Sequence, residues 1–367
     1  MKVLLLGNPE SAHTVKWVRA LANKGIQVYL LSLSPISGDL SGGYSNVKVK
    51  SLGLSNRFVM KKNPRLMKII YLRMLPAVKR VIRSFQPDIL HSHYVSSYGV
   101  LGALTGFHPY VISAWGSDVY KFPYGSWINR ALVKYSLKQA DVILSTSNNM
   151  AAQINQFTHK SVEITPFGID TDVFYSIPVK KDNNPFVIGT VKHLKKIYGI
   201  DLLIKAFGKI VDWNPGLDLR LLIVGEGRER KSLENLVNRL GLKQKVEFIG
   251  NVEPARIPQY INRMDVFVAL SVGRESFGVS VLEAGACQKP VVVSNVSGFT
   301  EIVQDNYTGI VVPVNDVFKS AEAIHMLIHN APLREELGKN ARDHVEKHYS
   351  FYTSINNMLR IYNQVLK

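Results

Sequence analysis

The sequence predicts an α/β protein with two doubly wound parallel sheets. Short apolar runs of strand length alternate with helical stretches throughout the chain, and a junction with two prolines separates one such series from a second. Alternation of this kind is typical of parallel sheets covered by helices on both faces. The 367 residues exceed what one core usually holds, so we expect one sheet in each of two domains.

The first series of elements begins at the N-terminus. Val3 to Leu6 is an apolar run of strand length and is too short for a signal peptide. Thr14 to Asn23 has helical spacing and is followed by Gly25, a residue that often ends helices. The further strands predicted in this series are Gln27 to Ser32, Ile89 to His91, Tyr110 to Ser113 and Val142 to Ser145.

A junction between domains is predicted at Pro166 to Pro178, where glycine and proline occur with little periodicity. We therefore place an N-terminal domain at residues 1–166 and a C-terminal domain at residues 167–349. Residues 350–367 have apolar side chains at helical spacing and predict an amphipathic terminal helix. The strands predicted in the second series are Phe186 to Val191, Leu219 to Val224, Val246 to Ile249, Val266 to Leu270 and Val291 to Val293.

Composition narrows the class of protein. An apolar share of 46% is typical of a globular chain, and no apolar run approaches the roughly 18 residues that span a bilayer. The single cysteine, Cys287, permits no internal disulfide and no cysteine metal cluster, which favours a reducing compartment. We expect Cys287 to pack in a core.

Two carboxylates occur close together in the second series. Glu275 follows the predicted strand that ends at Leu270, and Glu283 lies eight positions later within the next helix. Parallel α/β sheets bind ligands at the carboxyl ends of their strands, and the first amides of a helix can hold an anion. Two acceptors beside such amides suit a ligand that is part polyol and part phosphate, such as a nucleotide sugar. The alternative is a loop acid and a solvated helix residue. The residues at the predicted helix start are Ser276, Phe277, Gly278 and Val279.

The chain resembles the retaining glycosyltransferases of family 4. The resemblance implies the GT-B architecture, an α/β fold in which two Rossmann-like, doubly wound domains face each other across a cleft. It also implies that the terminal helix packs back on the first domain. The segments that carry the resemblance are the Glu, seven residues, Glu spacing of residues 275–283, GTVKHLKKIYGIDLLIKAF at 189–207, LLIVGEG at 221–227 and TPFGID at 165–170.

The resemblance implies roles for residues of the C-terminal domain. Glu275 would hold the hydroxyls of the donor sugar, Glu283 would hold the ribose, and Gly225 would border the nucleotide. The helix start near Gly278 would help to stabilise the leaving diphosphate. In this family that charge is stabilised without a bound metal, so we expect no metal site and no cofactor other than the nucleotide-sugar donor.

The sequence departs from the family where the diphosphate is held. The family carries an arginine and a lysine there, and this chain has His193 and Tyr198 at those positions. We expect Lys192 and Lys196 to supply the positive charge. A lysine binds phosphate as a point charge and cannot form the bidentate hydrogen bonds of an arginine. The alternative is that these lysines form a solvated basic loop.

Polar residues also follow two strands of the first series. His91 to Tyr94 follows one strand and Ser113 to Asp118 follows another. Many relatives have a histidine where this chain has Trp115, so His93 and Asp118 remain as candidate catalytic residues near the acceptor. The alternatives are that His93 is a structural hydrogen-bonding group and that Asp118 caps the next turn.

Positive charge is concentrated in the first half. Residues 1–169 hold 20 Lys and Arg against 6 Asp and Glu, whereas the remaining residues hold 25 against 22. No acid occurs between Asp39 and Asp88, where basic residues alternate with large apolar ones. This pattern suits an anionic membrane surface; the alternative is a basic helix that covers the sheet. Charge alone also permits nucleic acid, but no helix-turn-helix or zinc pattern accompanies it, so we expect no nucleic-acid partner. The basic residues are Lys48, Lys50, Arg57, Lys61, Lys62, Arg65, Lys68, Arg73, Lys79, Arg80 and Arg83.

Together these features predict a cytoplasmic enzyme, peripheral on the inner face of a membrane. It would transfer a hexose or N-acetylhexosamine, with retention of configuration, from a nucleotide sugar to a saccharide acceptor. We expect a UDP-linked donor and a polyprenyl-linked or other lipid-linked acceptor, in the synthesis of a surface polysaccharide such as lipopolysaccharide or of a glycolipid. The alternatives are a nucleotide-sugar 2-epimerase on the same fold and a non-enzymatic basic protein that binds membranes or nucleic acid.

Overall fold

The computed structural model describes residues 1–36, 43–54, 64–178, 185–273 and 275–367, and of residues 64–72 the backbone alone. The chain divides into two compact units. Unit 1 contains Met1–Phe167 and Ser354–Lys367, and unit 2 contains Gly168–Thr353. Each unit is an α/β structure with its own parallel sheet, which confirms the predicted fold class.

Unit 1 has a seven-stranded parallel sheet within the described residues. The strands are β1 (Lys2–Leu6), β2 (Gln27–Ser32), β3 (Val47–Ser51), β4 (Ile89–His93), β5 (Tyr110–Ala114), β6 (Val142–Ser145) and β7 (Val162–Ile164). They lie in the order β3-β2-β1-β4-β5-β6-β7. The order reverses between β1 and β4, so the carboxyl ends of these two strands flank the switch point at which such sheets bind ligands.

Helices cover the unit 1 sheet, and its central strands are buried on both faces, as continuous apolar runs predict. The core includes Leu4, Leu90 and Ile112, each with no exposed surface. The helices of this unit's first segment are α1 (Ala12–Asn23), α2 (Pro64–Phe85), α3 (Tyr98–Thr105), α4 (Ser117–Tyr120), α5 (Trp127–Gln139) and α6 (Asn148–Ile154).

Unit 2 has a six-stranded parallel sheet within the described residues. The strands are β8 (Phe186–Val191), β9 (Leu219–Val224), β10 (Val246–Gly250), β11 (Val266–Ala269), β12 (Val291–Ser294) and β13 (Gly309–Val312). They lie in the order β10-β9-β8-β11-β12-β13. The switch point of this sheet therefore lies between β8 and β11.

The helices of unit 2 pack on both faces of its sheet. Its core includes Phe207, Val268 and Ile324, which are fully buried. The helices are α7 (Ile200–Trp213), α8 (Arg230–Arg239), α9 (Ile257–Arg263), α10 (Val279–Ala286), α11 (Ser297–Thr300), α12 (Val317–His329) and α13 (Ala331–His344).

The chain returns to unit 1 through the last helix, α14 (Phe351–Val365), whose residues from Ser354 onward belong to that unit. Tyr362 of α14 is fully buried, and Asn357 donates a hydrogen bond to the carbonyl of Ile164 at 2.7 Å. Helix α14 thus forms part of the unit 1 core. Among the helices within the described residues, we find no candidate for a membrane span.

Three strands were not predicted from the sequence, and each lies at the edge of its sheet. β3 alternates apolar and basic residues, and its lysines Lys48 and Lys50 are exposed. β7 has three residues, and β13 has only three apolar residues after Gly309. β3 and β7 bury less surface than central strands and lack continuous apolar runs. β13 is mostly buried, so burial does not explain why it was not predicted.

Candidate functional site

An ion pair lies at the switch point of the unit 2 sheet. Lys192 follows β8, and Glu275 lies in the loop after β11. The Lys192 Nζ lies 2.8 Å from Glu275 Oε2, and the two side chains are 12% and 10% exposed. Ser271 Oγ donates to the same carboxylate oxygen at 3.3 Å. The structure thus brings together a lysine and a carboxylate that the sequence predicted separately.

Two aromatic rings flank the ammonium group of Lys192. Its Nζ lies 4.8 Å from the ring centre of Tyr198 and 5.6 Å from that of Phe299. Ring faces attract cations, more strongly where water is excluded. Burial, and then the carboxylate of Glu275, raise the pKa of Tyr198, so the phenol stays neutral beside the pair. The rings and the carboxylate hold the lysine in one place.

Close backbone approaches fix the two loops that carry this pair. A Cβ on Gly225, whose φ is +140°, would lie 1.9 Å from the carbonyl oxygen of Lys192. A Cβ on Gly298 would lie 2.3 Å from the carbonyl oxygen of Glu275. Any larger residue at either position would displace a charged residue of the pair. Gly225 therefore has a structural function in addition to its predicted position beside the nucleotide.

The start of helix α10 lies next to Glu275 in the sequence. Gly278 is its N-cap with φ +94°, and Phe277 is 2% exposed with its ring 5.8 Å from the ring of Tyr349. Amides in the first turn of a helix have no carbonyl partner within that helix. Ser280, also in this turn, is 9% exposed, and its hydroxyl has no hydrogen-bond partner among the described residues. An unpartnered buried hydroxyl requires an explanation, and a bound anion would supply a partner.

The remaining predicted residues of unit 2 are more exposed. Glu283 lies in the second half of α10 and is half-buried, and Ser276 and Val279 are also half-buried. Lys196 is exposed in the 3-10 turn Lys196–Tyr198. Of the two lysines predicted for the diphosphate, Lys192 is therefore the one held in a defined position.

A fully buried hydrogen-bond network lies at the switch point of unit 1. His91 shares hydrogen bonds with the Tyr362 hydroxyl at 2.6 Å and the Ser113 hydroxyl at 2.8 Å. Burial lowers the pKa of His91 to about 3, so the ring is neutral. This histidine joins β4, β5 and α14, and neither it nor Tyr362 was predicted as a functional residue.

His93 is also buried, with 1% of its surface exposed. Its Nδ1 lies 3.3 Å from Thr14 Oγ1, and its ring lies 4.3 Å from that of Trp115. Burial, and then the neighbouring His91 and His13, lower the pKa of His93 well below its usual value. The ring of His13 stacks on Phe167 at 3.8 Å nearby. These contacts match the alternative that His93 is a structural hydrogen-bonding group.

Asp118 is 1% exposed, and backbone amides surround its carboxylate. It accepts hydrogen bonds from the amides of Val95 at 2.9 Å, Gly116 at 2.8 Å and Trp115 at 3.2 Å. Burial raises the pKa of Asp118, and these amide bonds oppose the shift. The contacts match the alternative that Asp118 caps the turn after β5, and they connect that turn to the loop after β4.

The basic stretch is described only in part. Arg57, Lys61 and Lys62 lie outside the described residues, and for Arg65 and Lys68 only the helix backbone is described. The other six are exposed, on β3 and on α2; they are Lys48, Lys50, Arg73, Lys79, Arg80 and Arg83. Among the described residues, no group of three or more His, Cys, Asp or Glu side chains could hold a metal ion.

Known proteins resemble both units. The family of glycosyl transferases group 1 matches residues 175–344, and the glycosyl transferase 4-like family matches residues 2–147. N-acetyl-alpha-D-glucosaminyl L-malate synthase of Bacillus anthracis is 24% identical over 370 residues, which cover 95% of this chain and 92% of that protein. The capsular polysaccharide biosynthesis glycosyltransferase CapM of Staphylococcus aureus is 32% identical over 206 residues, which cover 56% of this chain and 53% of CapM.

Solved structures share the fold of the whole chain. Anabaena Alr3699/HepE in complex with UDP aligns with a TM-score of 0.78 and 19% identity, covering 99% of this chain and 100% of that one. Two parallel Rossmann-like units with these strand orders make up the GT-B fold, and the two family matches place the chain in the class of glycosyltransferases. Within that class, the chain belongs to the family 4 glycosyltransferases.

Proposed function

We propose that this glycosyltransferase transfers a hexose or N-acetylhexosamine from a UDP-sugar to a saccharide acceptor with retention of configuration. The observation that carries the proposal is the ion pair of Lys192 and Glu275 at the switch point of unit 2. The UDP bound to HepE supports the choice of nucleotide. The name of CapM supports a product that is a surface polysaccharide.

Donor binding would exchange the partners of this ion pair. Hydroxyls of the donor sugar would donate hydrogen bonds to Glu275, and Lys192 would bind the diphosphate. Negative charge on the diphosphate grows as the bond to the sugar breaks, so a lysine already held beside it stabilises the transition state more than the ground state. The rings of Tyr198 and Phe299 would keep the ammonium in place during this exchange.

Further contacts would come from α10 and the loops beside it. The first amides of the helix, with the unpartnered hydroxyl of Ser280, would bind the diphosphate. Glu283 would accept hydrogen bonds from the ribose, and Gly225 would border the nucleotide. Lys196, which is exposed, would add a second positive charge once the donor is bound.

In unit 1 we assign His93 and Asp118 to the framework of the proposed acceptor site, because their polar atoms contact neighbouring residues of that unit. We propose a lipid-linked acceptor and a peripheral position on an anionic membrane surface. The exposed basic residues of β3 and α2 support this partner.

Calorimetric titration with UDP, combined with donor turnover, tests the site. Glu283→Ala should weaken UDP binding about 10- to 150-fold, because a charge-assisted hydrogen bond contributes roughly 1.5–3 kcal/mol. Glu275→Gln should strengthen the binding of free UDP, because Lys192 loses its competing anion, and should depress turnover. Glu336→Gln, an exposed acid on α13, is the matched control and should change neither quantity.

Equal losses of UDP affinity in Glu283→Ala and Glu275→Gln would contradict this division of roles. The same assay should yield UDP together with a glycosylated acceptor, whereas an epimerase would return an altered donor. We expect turnover to persist in the presence of EDTA. Dependence on an added divalent cation would contradict the proposed role of Lys192 as the principal charge on the diphosphate.

A further inference from the structure

The most exposed large apolar side chain of the described residues lies on α5 of unit 1. Trp127 is 79% exposed, and Tyr124, three residues earlier in the sequence, is 54% exposed. The other three tryptophans are less exposed: Trp17 is 3%, Trp115 is 8% and Trp213 is 38% exposed. Burial of an exposed indole is favourable in free energy. A partner that covers Trp127 would therefore bind more tightly.

The fold holds this face outward. The Ser126 hydroxyl caps α5 by accepting from the amide of Asn129 at 3.1 Å. Val133 and Leu137, on the side of the helix that packs in the unit 1 core, have no exposed surface. Lys160 donates from its ammonium to the carbonyl of Lys138 at 2.7 Å, at the other end of the helix. Both ends and the inner face are therefore fixed.

The same face is basic. Arg130, Lys134 and Lys138 are exposed on α5, and the sequence has no acidic residue between Asp118 and Asp141. Tyr135, 37% exposed, lies among these cations. We define the Trp127 surface as Tyr124, Trp127, Arg130, Lys134, Tyr135 and Lys138.

We propose that the Trp127 surface docks on an anionic lipid bilayer. Tryptophan and tyrosine favour the headgroup level of a membrane because they are apolar with one polar atom, and lysine and arginine are attracted to anionic headgroups. The inference rests on the membrane partner proposed above and adds a contact on a different element from the basic stretch between Asp39 and Asp88. Three exposed cations on the same helix as an exposed indole match this partner by charge.

Tryptophan emission provides a direct test with vesicles of phosphatidylglycerol and brominated phosphatidylcholine. Bromine quenches an indole that enters the bilayer, so the wild type should lose emission on binding. Trp127→Phe should remove most of the quenchable signal while the protein still binds. Trp213→Phe, which alters the partly exposed tryptophan of unit 2, should leave the quenching as in the wild type. Unchanged quenching in Trp127→Phe would overturn the proposal.

Vesicle flotation tests the charges. Lys134→Ser with Lys138→Ser should weaken binding to anionic vesicles at low salt about 25-fold, from roughly fivefold per lysine. The matched control, Lys209→Ser with Lys243→Ser, removes two exposed lysines of unit 2 and should bind as the wild type does. Thermal unfolding should show that all variants fold.

The outcomes separate the two proposals. A wild type that stays off anionic vesicles at low salt would overturn the membrane partner and the Trp127 surface together. A wild type that binds, with full binding retained in the Lys134 and Lys138 double variant, would overturn the Trp127 surface and leave the basic stretch as the contact.

Discussion

The two sheets reverse their strand order in the same way, yet their switch points hold polar residues in opposite states. In unit 1, His91, His93 and Asp118 are at most 1% exposed and are bound by neighbours within the unit. In unit 2, Lys192 and Glu275 retain 12% and 10% exposure and are bound chiefly to each other. With the same topology, the polar residues of unit 1 have all their partners inside the unit, whereas the charged pair of unit 2 can exchange its partners for a ligand.

This difference gives a way to distinguish residues that hold the framework together from residues that bind a ligand. A neutral buried ring such as His91 already has hydrogen-bond partners on both nitrogens, so it has no free nitrogen with which to bind a ligand. A charged pair with partial exposure gains when a ligand supplies both a polyol and an anion. Carboxyl-end position alone does not distinguish these cases, because both sets of residues lie in the last part of a strand or just after it.

The largest effect is expected at the charged pair. Lys192→Ala should lower turnover about 10²- to 10³-fold, the usual effect of losing one group that stabilises developing negative charge. It would also leave Glu275 largely buried without its counter-charge. Lys192→Arg should retain part of the activity because the positive charge remains. Steady-state donor turnover and UDP affinity measure both effects.

Lys195→Ala is the control for that experiment, because Lys195 is an exposed lysine of the same loop. It should retain turnover close to that of the wild type. Lys192→Ala turnover within a factor of ten of the wild type would contradict the comparison, and Lys196 would then become the principal candidate for the diphosphate.

The next prediction concerns acid and the unit 1 network. The folded state keeps His91 neutral down to about pH 3, whereas the unfolded chain protonates near pH 6.5. The stabilising contribution is thus fully present above pH 6.5 and is lost as the pH falls below it. At pH 5 one such histidine costs about 2 kcal/mol of stability.

His91→Gln removes this contribution from a pH dependence that has other sources: the lowered pKa of His93 acts in the same direction and the raised pKa of Asp118 in the opposite one. Between pH 7 and pH 5 the wild type should lose about 2 kcal/mol more unfolding free energy than the variant. Hydrogen exchange should show the acid-dependent loosening in β4 and β5 of unit 1. Equal pH dependence in wild type and variant would mean that His91 is accessible to protons in the folded state.

Much of the fold was predictable because the central strands are buried on both faces. Runs such as Val291 to Val293 carry a signal that does not depend on their neighbours. The edge strands β3 and β7 depend on pairing with strands distant in sequence, and their short or alternating patterns gave no such signal.

The candidate site was predictable in its residues and not in its contacts. The spacing of Glu275 and Glu283 pointed to the loop and helix of the candidate site, and Lys192 was named beside them. That Lys192 pairs with Glu275 depends on the order β8-β11 in the sheet, which joins segments 83 residues apart. From the sequence alone, loss of Glu275 would be expected to leave UDP affinity unchanged, whereas the ion pair predicts an increase.

The smallest expected effect belongs to Tyr198, which occupies the position where relatives carry a lysine. Its ring lies 4.8 Å from Lys192 Nζ, so it holds the cation without adding charge. A cation–π contact contributes about 0.5–2 kcal/mol. Tyr198→Leu should therefore raise the dissociation constant for UDP about 2- to 30-fold, measured by calorimetry, because Lys192 becomes less ordered.

Tyr198→Phe keeps the ring and removes the hydroxyl, and it is the control that identifies the mechanism. If the ring face holds Lys192, the phenylalanine variant should bind UDP within about twofold of the wild type, because the benzene ring keeps most of the cation–π attraction. A phenylalanine variant as weak as Tyr198→Leu would show that the hydroxyl contacts the nucleotide. In that case Tyr198 would belong to the exchangeable part of the site, with Lys192 and Glu275, and the Phe299 ring would be the remaining fixed support for the lysine.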